Sequence, residues 1–110
     1  MITVVETRQF IRKVESLLDS EERQALIVHV AQNPEAGDIM PRTGGVRKLR
    51  VAGKGRGKSG GHRVVYYYYN ARNPVLLFTI YGKNEKANLT DAEEKALYKL
   101  IQAIKKEMKL

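Results

Sequence analysis

His62-Arg63-Val64-Val65-Tyr66-Tyr67-Tyr68-Tyr69, a turn cluster over Asn70 to Pro74, and Val75-Leu76-Leu77-Phe78-Thr79-Ile80-Tyr81 decide the fold of this chain. Both runs are rich in β-branched and aromatic residues, which suit a pleated, packed surface. A turn this short joins antiparallel neighbours. The second run is apolar enough to be a central strand. Upstream, Val46 opens another strand, with Leu49 and Val51 on one face and Lys48 and Arg50 on the other. A glycine-rich segment, Gly53 to Gly61, connects the two.

Working outward, the flanks are helical. Phe10, Val14 and Leu17 recur at helical spacing, with Ile11 and Leu18 beside them. Asp19-Ser20-Glu21-Glu22 has the form of a capping box, and opens a second helix that buries Leu26, Ile27 and Val30. Asn33-Pro34 stops it, because the residue before proline avoids the helical region. Thr90-Asp91-Ala92-Glu93 is a second capping box, ahead of a stripe of Leu97, Leu100, Ile101, Ile104 and Met108. Val4 and Val5 read as a short opening strand, and residues 34–45 as loop. The expected order is β-α-α-β-β-β-α. The fold class is α+β: an antiparallel sheet packed by an N-terminal helical hairpin and a C-terminal helix.

The chain has 110 residues, enough for one domain over 1–110 and not for two. It has no Cys, so disulfides and thiol chemistry are excluded. No apolar run reaches the ~18 residues of a membrane span, and no signal peptide opens the chain, so a cytoplasmic protein is expected. Twenty Lys and Arg against twelve Asp and Glu give a net charge of +8. From Ile39 to Asn84 there are ten basic residues and no acid, so the whole excess lies in that stretch. Charge segregated in this way favours a polyanion, nucleic acid above all.

Ala52-Gly-Lys-Gly-Arg-Gly-Lys-Ser59 resembles a loose phosphate loop, but a strand follows it where that motif requires a helix. It reads better as a flexible basic loop, with Lys54, Arg56 and Lys58 contacting a phosphate backbone. Metal chemistry needs clustered carboxylates or histidines, and the basic stretch has no acid, so no metal and no cofactor are expected. RNA carries its own nucleophile, the 2′-hydroxyl. A protein then needs only to orient it, move protons and stabilise charge. Lys48, Arg50, Arg63 and Lys83 lie on or beside adjacent strands and can converge. Among the four tyrosines, one pair packs under a helix. A tyrosine of the other pair, or Tyr81, is a candidate stacking surface for unpaired bases.

Gly45-Val-Arg-Lys-Leu-Arg50, Gly57-Lys-Ser-Gly-Gly-His-Arg-Val-Val-Tyr-Tyr-Tyr68 and Tyr81-Gly-Lys-Asn-Glu-Lys86-Ala-Asn-Leu89 together resemble the RelE/HigB superfamily of bacterial toxins, with the HigB-2-like branch nearest. The likeness runs over essentially the whole chain. It implies a toxin–antitoxin system, a cognate antitoxin, and metal-independent cleavage of translated mRNA on the ribosome. The family's Arg-aliphatic-aliphatic-Tyr strand motif falls on Arg63 to Tyr66, which makes Arg63 the phosphate-stabilising residue. Its basic preceding strand falls on Lys48, with Arg47 and Arg50 as neighbouring positions, and its basic group after the last strand on Lys83, with Lys86 close by. The resemblance thus implies a catalytic set of Arg63, Lys48, Lys83 and Lys86. The expected RNA contacts are Arg47, Arg50, Lys54, Arg56, Lys58, Tyr68 and Tyr81. Many family ribonucleases carry Arg where this chain has Asn84, followed by a Tyr or His that residues 85–90 lack. The general base then falls to Tyr81, Lys83 or Lys86. Two other readings are a gyrase-poisoning toxin of the ParE-like branch and a non-catalytic RNA-binding module.

Overall fold

The computed structural model describes residues 2–51, 61–82, 85 and 88–108. Strand β1 (Val4–Glu6) leads into helices α1 (Arg8–Leu17) and α2 (Ser20–Gln32). Strands β2 (Asp38–Ile39), β3 (Val46–Val51), β4 (His62–Tyr67) and β5 (Val75–Gly82) follow, and helix α3 (Asp91–Met108) comes last. The sheet order is β1-β5-β4-β3-β2.

Local chemistry sets the helix ends. Thr7 caps α1, its hydroxyl accepting from the Phe10 amide. The α2 box is reciprocal: Glu22 N–H donates to Asp19 Oδ1 and Asp19 N–H to Glu22 Oε1, both at 2.8 Å. Asn33 leaves helical geometry before Pro34. At α3, Thr90 N–H donates to Glu93 Oε1 at 2.8 Å and Glu93 N–H to Thr90 Oγ1 at 3.1 Å.

Alternation along the strands divides the core in two. On one face of the sheet, Phe10, Val14 and Leu18 of the first helical segment and Leu26 and Val30 of α2 pack on Val64, Tyr66, Val75, Leu77 and Ile80. On the other, Ile101 of α3 packs with Met40, Val46, Val65, Tyr67, Phe78 and Tyr81. Fully burying an aliphatic side chain of this size stabilises by about 1.5–3 kcal/mol. Tyr66 also ties the sheet to the segment after α2. Its hydroxyl donates to Pro34 O and accepts from Gly37 N–H, each at 2.8 Å. A Cβ on Gly37 would stand 2.9 Å from the Tyr66 ring and 3.0 Å from Lys48 O, so only glycine fits this approach.

Several expectations need correction. The sheet is mixed, because β1 pairs with β5 in parallel, Val4 opposite Val75 and Glu6 opposite Leu77. The helical hairpin carries the chain across the sheet before β5 is reached, so no tight turn sets the direction of β1. Residues 34–45 are not all loop: Asp38 and Ile39 pair with Lys48 and Arg47. A buried Thr43 closes the turn beyond, its hydroxyl donating to Met40 O and accepting from Val46 N–H. The tyrosine strand ends at Tyr67 rather than Tyr69. Leu100 is 43% exposed, off the packed stripe of Leu97, Ile101 and Ile104. Ile11 is also exposed.

The β4–β5 ladder carries a bulge: Val65 faces Thr79 and Tyr66 faces Leu77, leaving Phe78 unopposed. Phe78 then joins the α3-side core, and Thr79 lines the same side beside Val65. The Thr7 hydroxyl donates to Leu77 O at 2.8 Å, beside the bulge.

Candidate nucleic-acid interface

The register places Arg50, Arg63 and Tyr81 side by side across β3, β4 and β5. One step along, Lys48, Val65 and Thr79 form the next row. By alternation both rows lie on the α3 side of the sheet, with Val46, Val65 and Tyr67. Three cations, Lys48, Arg50 and Arg63, therefore share one surface. Like charges directly opposite each other on neighbouring strands are unfavourable. Among the described residues no carboxylate forms an ion pair with any of the three.

Lys48 Nζ donates to Asn88 Oδ1 at 3.2 Å, which ties β3 to the segment entering α3. Arg63 is half-buried, and its Nη1 is covered without a hydrogen-bond acceptor among the described residues. A buried, charged donor left unpaired is costly, and it marks a place where an acceptor belongs. Tyr81 is buried beside it. Burial pushes its phenol above the usual range, the Arg63 guanidinium pulls it back, and Glu93 in the first turn of α3 pushes it up again. At neutral pH Tyr81 is thus a neutral phenol beside Arg63. Its buried ring is not offered to bases for stacking.

Other expected site residues lie elsewhere. Arg47 sits on the helical-hairpin side, where its Nη1 donates to Gly37 O at 2.8 Å and Glu35 O at 3.2 Å. It shares parity with Leu49 and Val51 and holds the chain after α2 against the sheet. Tyr68 packs partly buried against that same core. Lys54, Arg56, Lys58, Lys83 and Lys86 lie outside the described residues. So do the phosphate-loop look-alike of residues 52–59 and all of the basic loop except Gly61. Beyond Gly61 the chain enters strand β4 and not a helix.

Two contributors were not anticipated. Asn88 has no motif to announce it. Gly61 reads in sequence as one more loop glycine, yet it borders Arg50 and Arg63. Among the described residues, no three His, Asp or Glu side chains assemble into a metal-ligand set. No helix among them is long and apolar enough to cross a membrane.

The fold is an α+β sheet that carries Lys48, Arg50 and Arg63 along one face, with no carboxylate paired to any of the three among the described residues. The model of the RelE toxin of the RelE / RelB toxin–antitoxin system matches residues 3–109, and the chain belongs to that family. It is a toxin of a toxin–antitoxin system, with an antitoxin as the implied partner. The match is to the RelE family as a whole and does not resolve a HigB-2-like branch.

Proposed function

We propose that this toxin is a ribosome-dependent, metal-independent mRNA endoribonuclease that inhibits translation in the cytoplasm and is neutralised by its antitoxin. The observation that carries the reading is the shared face of Lys48, Arg50 and Arg63, with no carboxylate paired to any of the three and the Arg63 fork incompletely paired among the described residues. RNA placed there supplies its own 2′-hydroxyl. Attack on the adjacent phosphorus breaks the bond to the 5′-oxygen of the next nucleotide and leaves a cyclic phosphate. The hydroxyl proton passes to a base, and a proton is delivered to the leaving oxygen.

Arg63 stabilises the charge that builds on the phosphorane, where a planar fork is worth more than in the ground state. Lys48, oriented by Asn88, adds a second positive charge. Tyr81 acts through Arg63, because its hydroxyl is covered and its proton firmly held. The general base then falls to Lys83 or Lys86. Lys54, Arg56 and Lys58 would add sequence-independent contacts to the RNA backbone. The antitoxin is expected to be acidic and to fold as it binds the cationic side.

Primer extension on mRNA after induced expression tests the reading. Cuts in the translated frame, absent when translation is blocked, are the expected result. Intact mRNA together with DNA trapped on gyrase would replace it with the ParE-like activity. Intact mRNA with RNA retained on a filter would reduce it to a non-catalytic binder.

A further inference from the structure

Glu85 is the first acid after the acid-free stretch that ends at Asn84, and it stands in sequence between Lys83 and Lys86. Its contacts fasten it to the end of β5 and to α1. The Glu85 N–H donates to Gly82 O at 3.0 Å, and Glu85 Oε1 accepts from Gly82 N–H at 3.1 Å. Its other oxygen, Oε2, accepts from Lys13 Nζ at 2.8 Å. Lys13 lies 72 residues earlier, on helix α1, which packs on the hairpin side of the sheet. Three residues beyond Glu85, Asn88 accepts from Lys48 Nζ, a cation of the α3 side. The connection from β5 to α3 is thus held once from each side of the sheet. Its first residue after the Tyr81 row is Gly82, and Tyr81 stands opposite Arg63. One end of the connection therefore bears on Arg63 and the other on Lys48.

We propose that Lys13 is a positioning residue, which with Glu85 braces the connection between β5 and α3 and so sets where Asn88 meets Lys48. The proposal rests on the ribonuclease reading of the preceding subsection, and it gives α1 a part in the reaction. The brace acts in two ways. It fixes the path of the chain next to the cationic row, where small displacements of a catalytic group cost rate. It also neutralises a carboxylate that would otherwise compete with phosphate for the cations around it. The Lys13 and Glu85 side chains are 32% and 46% exposed, and so open a pair adds little to global stability. Its effect is therefore on local geometry and not on the fold.

The test uses the full chain, released from its antitoxin, on ribosomes programmed with mRNA. Lys13→Gln should lower kcat about fivefold, the upper worth of one exposed ion pair, with an unchanged melt. KM for the programmed ribosome should stay within about twofold, because no substrate contact is lost. Lys13→Arg should restore most of the rate. Glu85→Gln should match Lys13→Gln, and the double variant should be no slower than either, as expected of two groups acting as one unit. Arg12→Gln, an equal loss of charge at the exposed neighbouring residue of α1, should cut as wild type. Amide exchange at Gly82 and Glu85 should quicken about fivefold in Lys13→Gln, with β4 unaffected. A loss confined to KM would make Lys13 a ribosome contact and overturn the brace. Multiplying losses in the double variant, an equal loss in Arg12→Gln, or unchanged amide exchange would overturn it too. A wild type that cuts no mRNA, with the exchange change present, keeps the brace and sinks the ribonuclease. Wild-type kcat in Lys13→Gln keeps the ribonuclease and removes Lys13 from its support.

Discussion

Arg47 and Arg63 are both strand arginines in the same basic stretch, and the proposed function gives them opposite duties. Replacing each with alanine should separate stability from activity. Arg47 is 15% exposed, and its Nη1 donates to the carbonyls of Gly37 and Glu35. A hydrogen bond from a charged group contributes about 1.5–3 kcal/mol. Arg47 Nε, covered and without a partner among the described residues, offsets part of that. The net loss for Arg47→Ala should be about 2–4 kcal/mol. For a domain of this size that corresponds to roughly 10–20 °C in Tm. Arg63→Ala removes a side chain with an unpaired buried nitrogen and a like-charged neighbour, so its stability should stay within about 1 kcal/mol of wild type. Its cleavage should fall by roughly 10²–10³, the loss of one transition-state donor. Circular dichroism melts give the first quantity. A translation reaction with primer extension, run well below each variant's Tm, gives the second. Arg63→Ala losing stability comparably to Arg47→Ala, or folded Arg63→Ala cutting at the wild-type rate, would refute this division of duties.

Other consequences are as direct. Burial raises the phenols of Tyr66, Tyr67 and Tyr81 above their ordinary range. Their contribution to stability is therefore complete below about pH 10, the unfolded value, and is lost as pH climbs through the higher folded values. Tyrosinate absorbance should show these three ionising only together with unfolding; early titration of all six would contradict it. Gly37→Ala should destabilise by about 1–3 kcal/mol, since its Cβ meets the Tyr66 ring and the Lys48 carbonyl; a melt within 2 °C of wild type would mean that the strand relaxes freely. Asp19→Ala should cost about 1 kcal/mol with no effect on RNA cleavage, because the α2 box lies on the side of the sheet away from the cations.

What the residues declare about themselves was readable in advance. Both capping boxes announce the starts of α2 and α3, and Asn33-Pro34 announces the end of α2. Period-two patterning puts Lys48 and Arg50 opposite Leu49 and Val51. The same parity puts Arg47 with the core face, where its shape suits a clamp on carbonyls. What depends on distant partners was hidden. Two residues, Asp38 and Ile39, give no periodicity, so β2 exists only through its pairing with β3. The bulge at Phe78 follows from how Val65 and Tyr66 stack across it, and a strict alternation misses it. Nothing in the tyrosine run says which face α3 will cover, so Tyr67 and Tyr68 could not be told apart. Gly61 meets Arg50 and Arg63 only once neighbouring strands bring them beside it.

The parallel seam between β1 and β5 bears on how this toxin comes into being. Val4 must wait for Val75 before its edge of the sheet can close. Contacts so far apart along the chain are slow to form, since a long loop must be ordered before they repay it. The row of Arg50, Arg63 and Tyr81 likewise requires β5. During synthesis, an emerging chain shorter than about three quarters of its length has neither a closed sheet nor an assembled cationic face. The cationic face therefore assembles only after β5 has been made. Until the sheet closes, β5, once emerged but not yet flanked by β1, presents an unpaired apolar edge, the kind of surface that recruits another strand.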